Sequence, residues 1–147
     1  MRAVLQRVNR ASVTVGDEVV GRIDRGLLLL VGITHSDGEA NAAALRDKVL
    51  KLRLFPAEDG SSGFDRSVAE VGGELLLVSQ FTLYASTRKG RRPSFTDAAP
   101  PELAAGLFAR TLELFGESGL RVASGRFGAM MRVELENDGP VTIILDC

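Results

Sequence analysis

Leu27-Leu28-Leu29-Leu30-Val31 is a run of five branched apolar residues with no polar residue between them. It is short for a helix and lacks a period of two, so it reads as a strand buried on both faces. The turn signal Asp24-Arg25-Gly26 precedes it. A second run of the same kind, Leu75-Leu76-Leu77-Val78, follows Gly72-Gly73 and leads into Ser79-Gln80-Phe81-Thr82-Leu83-Tyr84. Towards the start of the chain, Val13 and Val15, then Gly16-Asp17, then Val19 and Val20 form a hairpin pattern around a short glycine-containing turn.

Helical signals lie between and after these runs. Asp37 is placed to cap a helix from Ala40 to about Leu54, with Leu45, Val49 and Leu52 on one face and Pro56 just beyond. Pro101 suits the first turn of a second helix that runs to about Gly119, its expected C-cap. Leu103, Leu107, Phe108, Leu114 and Phe115 give that helix an apolar stripe expected to pack on the sheet. Ala85 to Pro101 has no apolar period and is read as a loop. Leu120–Ala123, Met130–Glu136 and Val141–Leu145 read as strands, with Asn137-Asp138-Gly139-Pro140 as the turn joining the last two. Six to eight strands and two separate helices predict an α+β fold. Its sheet is largely antiparallel and barrel-like, with the two helices packed on one side.

A chain of 147 residues predicts a single domain spanning 1–147 that buries about two-thirds of its unfolded surface. The one cysteine, Cys147, allows no internal disulfide, and with the one histidine, His35, it falls short of a zinc ligand set. No metal or other cofactor is expected. No apolar run reaches 18 residues, and Met1-Arg2-Ala3-Val4-Leu5-Gln6-Arg7-Val8 lacks the apolar core of a signal peptide. The expectation is a cytoplasmic protein without a membrane span.

A net charge of −1 argues against a generic nucleic-acid coat. The charge is uneven, however. Arg88, Lys89, Arg91 and Arg92 are four cations in five positions, and the other 14 basic and 19 acidic residues leave a net of −5. A dense positive loop on a mildly acidic body suits a local phosphate contact, although most charge runs are simply solvated.

The familiar phosphate loops and the G-x-S-x-G elbow are absent. His35, between a strand and a helix, is a candidate base, but a lone histidine there is more often structural. At Ser79-Gln80-Phe81-Thr82 a hydrophobic strand leaves the core on polar residues, where backbone N–H groups can face a cleft and stabilise an oxyanion. The alternative is a strand with polar residues on its solvent face. In Asn137-Asp138-Gly139-Pro140-Val141-Thr142, Asp-Gly marks a turn, and the rarity of cis X-Pro bonds predicts a trans Gly139–Pro140.

Three segments together carry a resemblance: Ser79-Gln80-Phe81-Thr82-Leu83, Lys89-Gly90-Arg91-Arg92-Pro93-Ser94-Phe95, and Met131-x-Val133 through Asn137-Asp138-Gly139-Pro140-Val141-Thr142. In this order and spacing, with the opening Met1–Val8, the chain resembles the D-aminoacyl-tRNA deacylase family from end to end. The resemblance implies hydrolysis of the ester joining a D-amino acid to the terminal adenosine of tRNA, a chiral proofreading step in translation, without a cofactor. It implies a homodimer with active sites at the subunit interface. Gly139 and Pro140 would form a Gly-cisPro motif that enters the partner's site, rejects L-amino acids, and leaves glycyl-tRNA open to cleavage. Main-chain groups around Ser79, Gln80 and Phe81 would hold the carbonyl, with assistance from the ribose 2′-hydroxyl. Thr82 matches a threonine once proposed as a nucleophile.

The residues fit such chemistry. An aminoacyl ester is already activated, so oriented N–H donors and a positioned substrate hydroxyl suffice without a histidine base. Arg88, Lys89, Arg91 and Arg92 then have phosphates of the acceptor end to bind. Two rivals remain on sequence alone. One is an RNA-binding module without turnover, although an aromatic platform is not evident with no tryptophan and one tyrosine. The other is a hydrolase of another ester with His35 as base.

Overall fold

A single long strand, β1 (Arg2–Val15), organises the fold. The computed structural model describes all residues 1–147. Around β1 are set β2 (Glu18–Ile23), β3 (Gly26–Gly32), β6 (Glu74–Ser79), β7 (Val122–Ser124) and β8 (Arg132–Asp146). Helices α1 (Glu39–Lys51) and α2 (Pro101–Gly116), a small β4 (Arg53–Phe55) and β5 (Arg66–Ser67) pair, and a 3-10 turn at Phe81–Tyr84 complete it.

One edge of β1 pairs antiparallel with β2 over Ala11–Val15 and with β3 over Arg2–Val8. The other edge pairs antiparallel with β8 from Arg2 to Thr14. The expected Gly16-Asp17 hairpin is present, with Val15 opposite Glu18 and Gly16 at φ +58°. Asp24-Arg25, by contrast, does not reverse the chain. Strands β2 and β3 both run antiparallel to β1, so these residues form a kink between two stretches heading the same way.

The two unalternating leucine runs lie side by side. Leu27–Val31 of β3 pairs in parallel with Leu75–Ser79 of β6, and β6 pairs in parallel with β7. Parallel neighbours need crossover connections. The chain supplies α1 between β3 and β6, and α2 between β6 and β7. The sheet is thus mixed, with its antiparallel part built on β1. Leu27, Leu29 and Val31 face the cluster shared with α1 and α2, which contains Leu45, Val49, Phe108 and Phe115. Leu28 faces the opposite way, into a second cluster with Val8, Val13, Ile23, Leu76 and Val78 inside the curl of the sheet. Each such leucine, buried fully, contributes roughly 2 kcal/mol by transfer from water. The curl brings β2 against β7 so closely that a Cβ at Gly21 would run into the carbonyl oxygen of Ser124.

Several expected boundaries shift. Helix α1 starts after Gly38, whose N–H donates to the Asn41 side chain at 2.9 Å. Asp37 is not the cap, because its carboxylate accepts from the Met1 ammonium and from Thr34 N–H. The residues expected as the last turn of α1 instead form β4, whose Leu54 and Phe55 are buried. Helix α2 begins at Pro101 as expected and stops at Gly116, three residues short of Gly119, which sits in the following turn at φ +76°. Leu103, placed in the apolar stripe, is 42% exposed.

The largest departure is at the C-terminal end. The sequence pattern predicts a hairpin of Met130–Glu136 and Val141–Leu145. They are one strand, β8, and both halves pair with β1 in the same direction. Between Val8↔Asn137 and Gln6↔Thr142 one residue of β1, Arg7, faces four residues of β8, Asp138 to Val141. Asn137-Asp138-Gly139-Pro140 is therefore a bulge and not a turn.

Candidate active site

Strand β6 delivers Ser79 and Gln80 to the edge of the sheet, and the chain then tightens into the 3-10 turn Phe81–Tyr84. This excludes the alternative of a strand with a polar solvent face. Gln80 N–H is spent on the Val31 carbonyl at 2.8 Å. The next amides, of Phe81 and Thr82, open the 3-10 turn, where a helical turn has no acceptors of its own to offer. Ser79, Gln80 and Phe81 line a cavity of about 690 Å³. Thr82 is not part of its wall, and its hydroxyl accepts from Gln80 Nε2 at 2.5 Å.

The far wall comes from elements that sequence reasoning did not assign to a site. Phe95, Ala98 and Ala99 belong to the loop before α2, and Phe127, Met130 and Met131 belong to the loop before β8. Met130 is 92% exposed at the mouth. Phe127 lies between Gly125 and Gly128 and meets Phe108 with ring centroids 6.2 Å apart. An aromatic framed by two glycines, followed by two methionines ahead of a strand, was the available signal.

Residues leaving β3 hold the loop wall in place. Ile33 O accepts from Ala99 N–H at 2.9 Å, Thr34 Oγ1 donates to Asp97 O, and His35 Nε2 donates to Thr96 O at 2.8 Å. His35 itself is exposed and does not line the cavity. Next to the 3-10 turn, Arg2 sits 5.5 Å from the Tyr84 ring centre. Burial, and then the charge of Asp37, pushes the Tyr84 phenol above its ordinary value.

Arg88, Lys89, Arg91 and Arg92 are all exposed, and none forms an ion pair. Ser86 and Ser94 exchange backbone hydrogen bonds of 2.8 and 2.9 Å and pinch their loop at its base. Gly90 turns the tip at φ +75°.

Gly139 and Pro140 lie away from this cavity. Their peptide bond is cis, contrary to the expectation from base rates. Arg7, opposite the bulge, is level with Leu27, and Leu27 with Leu75. Ser79 is four residues further along β6 and three strand spacings across. At strand dimensions that puts the bulge on the order of 20 Å from the cavity of its own chain. Arg7 anchors the bulge. Its Nε lies 2.8 Å from Asp138 Oδ2, and its Nη1 donates to the carbonyls of Leu54 and Gly63. Sequence reasoning passed over Arg7, although it is a charged residue in the inward row Ala3, Leu5, Arg7 of β1.

No three His, Cys, Asp or Glu side chains cluster as a metal site, and no helix is long and apolar enough to cross a membrane. Residues 4–146 match the sequence model of a family described as D-Tyr-tRNA(Tyr) deacylase.

The chain belongs to this family.

Relatives named D-aminoacyl-tRNA deacylase include one from Roseiflexus sp. (strain RS-1), 62% identical over 99% of this chain and 93% of the relative. Another, from Geobacillus sp. (strain WCH70), is 55% identical over 99% of this chain and 95% of the relative. Among solved structures, the c-Myc DNA unwinding element binding protein superposes with a TM-score of 0.93 at 43% identity, covering 100% of this chain and 99% of that one. A probable eukaryotic D-amino acid tRNA deacylase shares the fold of the family chain, with a TM-score of 0.87 at 19% identity over 99% and 98% of the two chains.

Proposed function

We propose that this chain hydrolyses the ester of D-aminoacyl-tRNA, releasing the D-amino acid and tRNA. The observation that carries the reading is the pair of amides at Phe81 and Thr82, at the start of a 3-10 turn beside the 690 Å³ cavity. Donors fixed by the backbone stabilise the charge that develops on the ester carbonyl without reorganising, an effect worth about 10²–10³ in rate per donor. Ser79, Gln80, Phe81 and Thr82 build this corner, and the terminal ribose 2′-hydroxyl assists the attacking water. The names of the relatives support the substrate, and Arg88, Lys89, Arg91 and Arg92 supply a positive surface for tRNA phosphates.

The finer reading is a cytoplasmic homodimer of one-domain chains (1–147), each lending Gly139 and Pro140 to the site of the other. Its support is the distance of the bulge from the cavity of its own chain, the exposure of both residues, and the outer edge of β8, where Ile144 is 66% exposed. With ammonium and carbonyl fixed, D and L forms exchange side chain and hydrogen at Cα. A main-chain wall at that place excludes the L side chain by collision. Glycine has no side chain to collide, so glycyl-tRNA is a substrate too.

Single-turnover deacylation of D-, L- and glycyl-tRNA tests the reading, with and without prior exhaustive chelation. The D and glycyl esters should be cleaved and the L ester spared, at rates chelation does not change. Binding of tRNA without turnover would overturn it. An engineered monomer that still cleaves D and spares L would overturn the cross-subunit wall alone.

A further inference from the structure

Phe81 and Phe95 meet edge to face, with ring centroids 5.0 Å apart and an interplanar angle of 70°. They are 57% and 37% exposed. Phe55, Phe108 and Phe115 are each almost wholly buried, and Phe64, as exposed as Phe81, meets no other ring, so an exposed ring pair is found at the cavity and not elsewhere on the surface. An edge-to-face pair leaves ring faces open, and open π-faces bind other flat rings.

Two further observations give the open rings a ligand class. Phe95 directly follows Ser94, which closes the base of the loop carrying Arg88, Lys89, Arg91 and Arg92, four cations without ion-pair partners. Phe81 opens the 3-10 turn whose amides flank the cavity. The aromatic pair therefore lies between a positive loop and the cavity mouth. Aromatic faces next to free cations are the usual means of holding an unpaired nucleotide, because every base has a π-face and every linkage a charge.

We propose that Phe81 and Phe95, at the rim of the cavity, form a stacking platform for the unpaired nucleobase that precedes the terminal adenosine, with Phe95 giving the polynucleotide a contact beyond those of the terminal nucleoside. This rests on the deacylase reading and deepens it. The terminal nucleoside and its ester occupy the cavity, the next base lies on the ring pair, and its phosphate faces the cationic loop. The platform is tolerant of sequence and selects a single-stranded 3′ end.

The test compares two substrates carrying the same D-amino acid: full-length tRNA and 3′-aminoacyl-adenosine, which has no preceding base. Phe95→Leu keeps an apolar side chain but removes the π-face, and Phe95→Tyr keeps the ring. In the Phe95→Leu protein kcat/KM on tRNA, divided by kcat/KM on aminoacyl-adenosine, should fall roughly tenfold, through KM, and Phe95→Tyr should restore the ratio. Equal losses on both substrates would mean that Phe95 only props Phe81, and would overturn the proposal. So would an unchanged ratio, or a Phe95→Leu protein whose dimer dissociates in sedimentation, which would assign the ring to a contact between copies. A wild-type protein inactive on both substrates would defeat the deacylase reading itself.

Discussion

The side-chain amide of Asn137 donates to the carbonyl of Arg7 at 2.9 Å and to the carbonyl of Val141 at 3.1 Å, spanning the bulge in β8. A bulge of this size removes ladder partners from the strand opposite. Asn137 returns a donor to each side of the gap. Asn137→Ala should destabilise the protein by roughly 1–2 kcal/mol, the cost of leaving such carbonyls without a partner. Asn137→Asp, which offers acceptors only, should do at least as much harm. Urea unfolding would read the loss as a lower midpoint at constant m. A midpoint that stays put in both variants would remove the bracing role.

His35 holds the loop wall through Thr96 O and stands outside the cavity. His35→Ala should therefore keep deacylation within about tenfold of wild type, while removing a hydrogen bond worth roughly 1 kcal/mol. A thousandfold loss in single-turnover rate would instead make it a base.

The cationic loop makes a prediction about salt. For wild type, the logarithm of tRNA affinity should fall linearly with the logarithm of salt concentration. Replacing Arg91 and Arg92 by alanine should flatten that line by roughly 0.7–0.9 for each phosphate that is no longer neutralised. All tRNAs should weaken alike, since phosphates carry no sequence. A slope that survives the double substitution would return the loop to plain solvation.

Arg2 donates to Asp146 at 2.7 Å, and that hydrogen bond, followed by the charge of Arg2, holds the Asp146 carboxyl below its ordinary value. The Ser67 amide does the same for Glu70. With folded values below unfolded ones, these groups stabilise the fold above about pH 4 and lose that contribution as pH falls through the folded values. Arg2→Gln should lower thermal stability slightly at neutral pH, by under about 1 kcal/mol for an exposed pair. The gap between the two proteins should close towards about pH 2.5, below the ordinary carboxylate range. A gap that widens in acid would contradict the assignment.

The leucine runs, the Gly16-Asp17 hairpin and the Pro101 helix start were legible because each depends on local chemistry: burial, turn geometry and a missing N–H. What the sequence hid was direction. Asp24-Arg25-Gly26 and Asn137-Asp138-Gly139-Pro140 both carry turn residues, and such residues mark where a chain leaves the strand conformation. They do not say whether it then reverses. In both places it continues alongside β1, which only the pairing partner decides. The parallel pairing of β3 with β6 was hidden likewise, since it depends on two crossovers. Ser79, Gln80 and Phe81, which line the cavity, were singled out by motif, whereas Arg7 and Phe95 needed the third dimension to show what lies opposite them.

Strand β8 follows every other element in the sequence, yet it pairs with β1, the first, from Arg2 to Thr14. During synthesis β1 is finished early and then waits. Until Arg132–Asp146 emerges, one whole edge of β1 presents free N–H and C=O groups to its surroundings. A chain halted before Arg132 is thus an open template for strands of its neighbours, and truncation at this end should yield aggregates where truncation in an exposed loop would yield only a weaker fold.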